Sequence, residues 1–171
     1  MYNNVLITGG TGTFGTSYVL KSIENNWHRK IIIFSRDEFK QTKLSRYIRE
    51  KYKNRIISGK DFSITLDNCE IRFFIGDICD LERLKVAMKG VDLVIHAAWD
   101  NSFLGPKNVE DSSLQNSANL QALEKLLRAV ERAKTKKFLF LSAQGASYKN
   151  KNTFLQEKYL AESLVINADI P

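Results

Sequence analysis

The sequence has little cysteine and no long hydrophobic run. Its 171 residues include two cysteines, Cys69 and Cys79, which are too few for a disulfide framework and lack the spacing of a metal site. No apolar stretch reaches the roughly 18 residues needed to cross a bilayer, so we expect no association with membranes. Because a strand-like segment begins at residue 5, we expect no signal peptide either. Together these absences predict a cytoplasmic protein in a reducing compartment.

Length and composition predict one globular domain spanning residues 1–171. Charge is unevenly distributed along this chain. The net charge is +7, and residues 29–60 hold eleven Lys and Arg against three Asp and Glu. This segment is either a solvated helix face or a positive rim that attracts an anionic ligand. Aromatic residues do not alternate with the cations as platforms for stacked bases would, which makes nucleic acid an unlikely partner on sequence grounds.

A glycine-rich segment near the N-terminus carries the strongest functional signal. The apolar run that ends at Thr8 is followed by Gly9, Gly12 and Gly15, and a helical pattern starts at Phe14. In this context the first glycine lets the chain turn, the second lets the backbone approach a pyrophosphate, and the third lets the helix pack closely. The helix N-terminus then faces the anion. The segment predicts a dinucleotide-binding loop, with a purely structural turn as the alternative.

The residues after the second strand bear on which dinucleotide binds. The apolar run 31–34 is typical of a parallel strand buried on both faces, and Ser35, Arg36 and Asp37 follow it. An acidic residue near this point selects NAD through the ribose 2′-hydroxyl, whereas small polar and cationic residues suit a 2′-phosphate. Ser35 and Arg36, with Lys40 one helical turn beyond, therefore favour NADP(H) over NAD(H). Asp37 is predicted to cap the next helix.

Strands and helices alternate five times along the chain. This alternation predicts an α/β protein with a three-layer Rossmann fold, in which a parallel sheet of order 3-2-1-4-5 carries helices on both faces. Residues 54–69 alternate like a small hairpin inserted before the third strand. The predicted strands cover residues 5–8, 31–34, 71–75, 91–98 and 138–141, and the predicted helices cover 14–26, 38–53, 80–88, 111–134 and 153–168.

Three further positions follow predicted strands or lie on a helix. Asp77 either accepts a hydrogen bond from the adenine amine, with Ile78 flanking the ring, or is a turn carboxylate. The small side chain of Ala97 would let a cofactor lie against the backbone, whereas the neighbouring His96 is expected only to pack. Asn119, among apolar neighbours on the fourth helix, needs an internal hydrogen-bond partner.

Several segments together resemble the extended short-chain dehydrogenase/reductase superfamily, and more narrowly the UDP-N-acetylglucosamine 4,6-dehydratases (inverting) of polysaccharide biosynthesis. The matching segments are residues 6–15, 33–41, 72–78, 80–84 and 95–98, with Asn119. The resemblance spans only the cofactor-binding half of the family's length and lacks the substrate-binding region. It implies an NADP(H) cofactor, a UDP-sugar as a further ligand, and cofactor contacts at Gly9, Thr11, Gly12, Thr13, Phe14, Gly15, Ser35, Arg36, Lys40, Asp77, Ile78, Ala97 and Lys158.

The sequence departs from this family at its catalytic positions. The family's Tyr-x-x-x-Lys pair corresponds to Phe154 and Lys158, and its Asp-Lys pair after the fifth strand corresponds to Gln144 and Gly145. Phenylalanine has no proton to transfer, so we name no catalytic residue. Lys158 either holds the nicotinamide ribose or is a surface lysine. Two hypotheses remain: the cofactor-binding part of a dehydratase with impaired or no catalysis, and a non-catalytic NADP(H)-binding sensor or partner module.

An uncovered sheet edge past the fifth strand would favour pairing of two copies, so the sequence also predicts a possible homo-oligomer.

Overall fold

A computed structural model describes residues 2–60, 62–100, 114 and 117–171. In chain order, the elements are β1 Asn4–Thr8, α1 Thr13–Asn25, β2 Lys30–Ser35, α2 Glu38–Lys51, a 3₁₀ turn Lys53–Arg55, β3 Ile56–Lys60, β4 Ser63–Leu66, β5 Glu70–Ile75, α3 Leu81–Ala87, β6 Leu93–His96, α4 Ala118–Arg132, β7 Lys137–Phe140 and α5 Thr153–Asn167.

Within the described residues, the strands form one sheet of order β3-β4-β5-β2-β1-β6-β7. The five strands β5, β2, β1, β6 and β7 run parallel to one another, which confirms the predicted order 3-2-1-4-5. The hairpin predicted within residues 54–69 is present as β3 and β4. It extends the same sheet, because β4 pairs antiparallel with β5.

Two cores lie on opposite faces of this sheet. Alternate residues of a strand point to opposite faces, so Val5 and Ile7 are buried in one cluster and Leu6 in the other. Helices α1 and α2 cover the first face, and α3, α4 and α5 cover the second. The predicted three-layer arrangement is therefore confirmed.

The predicted element boundaries lie within two residues of the observed ones except at the start of the fourth helix, although β6 is two residues shorter at each end than the predicted strand 91–98. Helix α2 ends at Lys51, two residues before its predicted end. The predicted helix 111–134 is wrong at Ser117, whose backbone is extended and whose hydroxyl oxygen accepts the Leu120 N–H at 3.1 Å. The side chain of Ser117 caps a helix that begins at Ala118. Residues 101–113, 115 and 116 lie outside the described residues.

Across the described ranges, no helix combines the length and the apolarity that a membrane span requires. In the same ranges, no group of His, Cys, Asp and Glu side chains is arranged to hold a metal ion. Both cysteines are free thiols, with Cys69 buried and Cys79 exposed.

Candidate nucleotide-binding site

A cleft of about 350 Å³ lies beyond the carboxyl ends of β1, β2, β5 and β6. In open α/β sheets ligands bind in this position, at the point where the strand order reverses. Here the reversal falls at β1, which has β2 on one side and β6 on the other. Nine of the thirteen predicted site residues line the cleft, namely Gly9, Thr11, Gly12, Ser35, Arg36, Lys40, Asp77, Ile78 and Ala97.

The turn after β1 has room only for glycine at two of its positions. Gly9 has φ +68, and a Cβ on it would lie 2.7 Å from the Ala98 nitrogen. A Cβ on Gly15 would lie 2.4 Å from the Gly9 oxygen and 2.5 Å from the Gly10 Cα. Since all these obstacles are backbone atoms, a side chain could not be accommodated by a rotamer change. The first and third glycines thus have the turning and packing roles predicted from their spacing.

The N-terminus of α1 differs from those of the other described helices. Each of the helices α2, α3, α4 and α5 is preceded by an N-cap residue whose side chain accepts an N–H group of the first turn. At α1 the corresponding residue is Gly12, which provides no side-chain cap. The first N–H groups of a helix have no partner within it, and those of α1 belong to Thr13, Phe14 and Gly15. Uncapped N–H groups next to a cleft form a suitable anion site.

The predicted cations lie at the β2 side of the cleft, each close to a carboxylate. Arg36 Nη1 is 3.8 Å from Asp77 Oδ2, and Lys40 Nζ is 3.2 Å from Asp37 Oδ2. Asp37 caps α2 by accepting the Lys40 N–H at 2.9 Å, as predicted. This backbone hydrogen bond is the main reason why the pKa of Asp37 is lowered. Because all four side chains are largely exposed, a ligand anion could compete with Asp77 for Arg36.

Asp77 acts as a turn carboxylate, which was one of its two predicted roles. Its Oδ1 accepts the Cys79 N–H at 2.8 Å, and Oδ2 faces Arg36. Burial, and then the charge of Asp77, raise the pKa of the Cys79 thiol. The thiolate of Cys79, which lines the cleft, is therefore disfavoured.

Asn119, on α4, is hydrogen-bonded to the segment that follows β6 at one side of the cleft. Its Oδ1 accepts the Asp100 N–H at 2.9 Å, and its Nδ2 donates to the Asp100 carbonyl oxygen at 3.0 Å. The indole N–H of Trp99 donates to Glu157 at 3.0 Å. The internal partner predicted for Asn119 is therefore the backbone of the segment that follows β6. Trp99 and Asp100, which line the cleft, were not predicted as site residues.

Lys158 is buried, so the second of its two predicted alternatives, a surface lysine, is wrong. It is 5% exposed, and its ammonium group donates to the Leu141 carbonyl oxygen at 3.0 Å. The same nitrogen lies 3.6 Å from the ring centre of Trp99 and 4.7 Å from that of Phe140. Burial lowers the pKa of Lys158 to about 8. Among the described residues, Lys158 belongs to this aromatic cluster and not to the lining of the cleft.

His96 packs at the end of β6, as predicted. Its Nδ1 lies 2.6 Å from the Thr8 hydroxyl oxygen on the neighbouring strand, and its ring stacks on Phe138 and Phe140. Burial, and then the positive charge of Lys158, lower the pKa of His96 to about 3. The imidazole is therefore neutral at physiological pH.

Gln41 is a residue of this region that the sequence did not single out. It lies on the inner face of α2 and is 3% exposed. Its amide nitrogen donates to Ser35 and Phe74, at the carboxyl ends of β2 and β5. The signal that could have identified it is its spacing, because Gln41, Leu44, Ser45 and Ile48 form the buried row of the helix.

Comparison with known proteins identifies the family. A family model described as polysaccharide biosynthesis protein matches residues 5–170. UDP-N-acetylglucosamine 4,6-dehydratase (inverting) of Campylobacter jejuni subsp. jejuni serotype O:23/36 (strain 81-176) is 49% identical over 100 residues, covering 57% of this chain and 25% of that protein. UDP-glucose 4-epimerase of Rickettsia bellii (strain RML369-C) is 34% identical over 165 residues, covering 95% of this chain and 42% of that protein.

A solved structure described as Pen from Bacillus thuringiensis aligns with 98% of this chain and 45% of that one, with a TM-score of 0.73 and 28% identity. The chain thus spans between a quarter and a half of the length of these relatives. Because the family model matches almost the whole chain, this protein belongs to the polysaccharide biosynthesis protein family, with the Rossmann fold of the extended short-chain dehydrogenases/reductases.

Proposed function

We propose that this chain is the NADP(H)-binding domain of a protein similar to nucleotide-sugar 4,6-dehydratases, with little or no dehydratase activity of its own. The observation that carries the binding proposal is the uncapped N-terminus of α1. It adjoins a turn in which Gly9 and Gly15 cannot be replaced by a larger residue. This pair of features fits a diphosphate group held by backbone N–H groups.

The diphosphate and the adenine of the dinucleotide each have residues of this chain to hold them. The N–H groups of Thr13, Phe14 and Gly15 would bind the diphosphate, and the Asp77–Ile78 segment would lie beside the adenine. When bound, the cofactor would supply a nicotinamide ring that accepts or returns a hydride. The chain's own contribution is to bind and orient it.

The preference for NADP(H) over NAD(H) depends on the rim formed by Ser35, Arg36 and Lys40. Both cations lie at the mouth of the cleft, and their carboxylate partners are exposed. A doubly charged 2′-phosphate would compete with Asp77 for Arg36, because a phosphate can bind the guanidinium group bidentately and carries more charge than a carboxylate, whereas Asp77 makes one contact at 3.8 Å.

Impaired catalysis is supported by what surrounds Lys158. Phe154 occupies the position of the family's tyrosine, and the ammonium of Lys158 is engaged by the Leu141 carbonyl and the Trp99 ring. The hydroxyl of Ser142, just after β7, donates to Glu162. A missing general acid–base group costs about two to four orders of magnitude in rate. The same cluster favours a second candidate function, a non-catalytic NADP(H)-binding sensor or partner module.

The substrate class and the oligomeric state are parts of the same proposal. The relative from Campylobacter jejuni is a UDP-N-acetylglucosamine 4,6-dehydratase, so a UDP-linked amino sugar is the proposed substrate of a protein that contains this domain. Pairing of copies through the β7 edge stays a prediction.

The test is a calorimetric titration of the chain with NADPH and with NADH, followed by an assay for a 4-keto product from UDP-N-acetylglucosamine. We expect NADPH to bind more tightly, and Arg36→Ala to weaken NADPH about tenfold while leaving NADH unchanged. Arg132→Ala is the matched control, because Arg132 ends α4, about 15–21 Å along the helix from its residues that line the cleft. Equal affinity for the two dinucleotides would refute the 2′-phosphate argument. A 4-keto product would refute the loss of activity.

A further inference from the structure

Gln41 is a buried amide in an otherwise mainly apolar row of α2. A buried polar side chain requires hydrogen-bond partners, and Gln41 finds three acceptors at the carboxyl ends of two neighbouring strands. Its Nε2 lies 2.9 Å from the Ser35 hydroxyl oxygen, 3.1 Å from the Ser35 carbonyl oxygen and 3.1 Å from the Phe74 carbonyl oxygen. Gln41 thus links the end of β2 to the end of β5, directly behind the cleft.

The chemistry of these acceptors fixes the orientation of the amide. A carbonyl oxygen can only accept, so the atom that faces two of them must be the NH₂ group. The NH₂ group has two hydrogens for three acceptors, and the Ser35 hydroxyl oxygen, at 2.9 Å, is the nearest of them. When Gln41 donates one hydrogen to this oxygen and the carbonyl oxygens share the other, the hydroxyl hydrogen of Ser35 is directed away from Gln41. Since Ser35 lines the cleft, its hydroxyl is left as a donor toward a ligand.

The other amide atom shows that this arrangement has a cost. Gln41 Oε1 is buried and has no partner among the described residues. An unsatisfied buried acceptor is unfavourable, and an apolar side chain of similar size would avoid it. An apolar residue there would, however, remove the hydrogen bonds that Gln41 donates to the Ser35 hydroxyl and to the Phe74 carbonyl oxygen. The NH₂ group is therefore what distinguishes Gln41 from its apolar neighbours Leu44 and Ile48.

We propose that Gln41 is a positioning residue for cofactor selection. It holds the Ser35 hydroxyl as a hydrogen-bond donor toward the 2′-phosphate of NADP(H), and through this donor it sets the preference over the unphosphorylated dinucleotide. This inference rests on the proposed function, because it requires a nicotinamide dinucleotide in the cleft. Gln41 itself contacts no ligand and acts only through Ser35.

Four variants test the proposal by calorimetric titration with NADPH and NADH. Gln41→Met keeps the size of the side chain and removes the donor. Gln41→Glu replaces the donor with an acceptor, which would draw the Ser35 hydroxyl hydrogen away from the cleft. Ser35→Ala removes the hydroxyl, and the double variant combines Ser35→Ala with Gln41→Met. Ser45→Ala is the matched control, since Ser45 is buried one turn farther along the same face of α2.

We expect Gln41→Met to reduce the NADPH-to-NADH affinity ratio about tenfold, with NADH affinity unchanged. Gln41→Glu should reduce it further, and Ser35→Ala should reduce it as much as Gln41→Met. In the Ser35→Ala background, Gln41→Met should have no additional effect on the ratio. Ser45→Ala should leave the ratio unchanged.

Two results with Gln41→Met would overturn the inference. Gln41→Met could weaken both dinucleotides equally, which would make Gln41 merely structural, or it could change the ratio again in the Ser35→Ala background. Circular dichroism and urea unfolding identify any variant that fails to fold. If the Gln41 variants do not fold, Ser35→Ala alone tests the inference, and an unchanged NADPH-to-NADH affinity ratio in that variant overturns it. A wild-type chain that binds both dinucleotides equally refutes the role of Gln41 but leaves dinucleotide binding intact. A wild-type chain that binds neither refutes the proposed function itself, and the inference with it.

Discussion

Replacing Lys158 with methionine is expected to remove a gain in stability that the wild-type protein shows above neutral pH. The ammonium group of Lys158 is buried, and burial lowers its pKa from 10.5 to about 8. Between these two pH values the folded protein has released a proton that the unfolded chain still holds. Since stability rises with pH wherever the unfolded state binds more protons, the free energy of unfolding increases from pH 8 to pH 10.5.

The size of this gain follows from the two pKa values. Each pKa unit corresponds to about 1.4 kcal/mol, so the full difference between 10.5 and about 8 amounts to about 3 kcal/mol. At pH 7, the difference in the free energy of unfolding between wild type and Lys158→Met also includes the lost hydrogen bond to Leu141 and the lost contact with Trp99. Its change with pH isolates the titration of Lys158.

The assay is urea unfolding followed by far-UV circular dichroism at several pH values from 7 to 10.5. The buried thiol of Cys69, whose pKa is raised to about 12, lowers the stability of both proteins as the pH rises above its ordinary value of 9.0. This effect cancels in the difference between wild type and variant. Lys89→Met, at an exposed position after α3, is the matched control for the loss of one positive charge.

The expected result is that the wild-type free energy of unfolding rises by about 3 kcal/mol relative to that of Lys158→Met over this range, and not relative to that of Lys89→Met. Parallel pH profiles for wild type and Lys158→Met would refute the reasoning. They would mean that the ammonium group is solvated in the folded protein and free to reach a ligand.

Two further predictions concern the turn after β1 and the end of β6. Gly15→Ala should lower the free energy of unfolding by about 1–3 kcal/mol or more, since its Cβ would lie 2.4 Å from the Gly9 oxygen. Gly12→Ala should lower it less, because its Cβ would lie 3.2 Å from the same oxygen and φ −78 is a value that alanine adopts readily; its added methyl group beside the cleft should weaken NADPH. Urea unfolding and calorimetry separate the two effects, and equal destabilisation by both substitutions would contradict the packing argument. For His96, whose pKa is lowered to about 3, the unfolded chain binds a proton below pH 6.5 that the folded protein does not bind. The free energy of unfolding should therefore fall by up to about 1.4 kcal/mol per pH unit on acidification below pH 6.5. His96→Gln should flatten this pH dependence, measured by urea unfolding at several pH values. A wild-type pH dependence no steeper than that of the variant would disprove the burial of a neutral imidazole.

The pattern of apolar residues along the sequence predicted most of the fold, because parallel strands buried on both faces appear as continuous apolar runs. Residues 31–34 are such a run, and they form the centre of β2. The hairpin at β3 and β4 was also predicted. Its pairing with β5 was not, because nothing in a local pattern says which strand edge an inserted hairpin will join.

Helix boundaries depended on caps that the sequence shows only in part. Asp37 was predicted to cap α2, and the third helix was predicted to begin at Asp80. Both side chains accept N–H groups of the first turn, so Asp80 is a cap and not the first helical residue. Ser117 was missed because polar residues before it continue a helix-compatible pattern. The cap was hidden inside a segment that was predicted to be helical throughout.

The candidate site was predicted well where it depends on local chain geometry and poorly where it depends on burial. The glycine turn and the rim residues follow one another along short segments. Lys158, in contrast, is flanked in sequence by Glu157, as an exposed lysine would be. Its burial comes from Trp99 and Phe140, which lie 59 and 18 positions earlier in the chain and meet it only in the folded sheet.

The most direct test of the central claim is the effect of nicotinamide dinucleotides on the thermal stability of the wild-type chain. A ligand at 100 times its Kd stabilises the folded state by about 2.7 kcal/mol, which for a domain of this size raises Tm by about 5–11 °C. We predict such a rise with NADPH, and a smaller one with NADH at the same concentration. If neither dinucleotide raises Tm at millimolar concentration, the turn after β1 does not hold a dinucleotide and the account is contradicted.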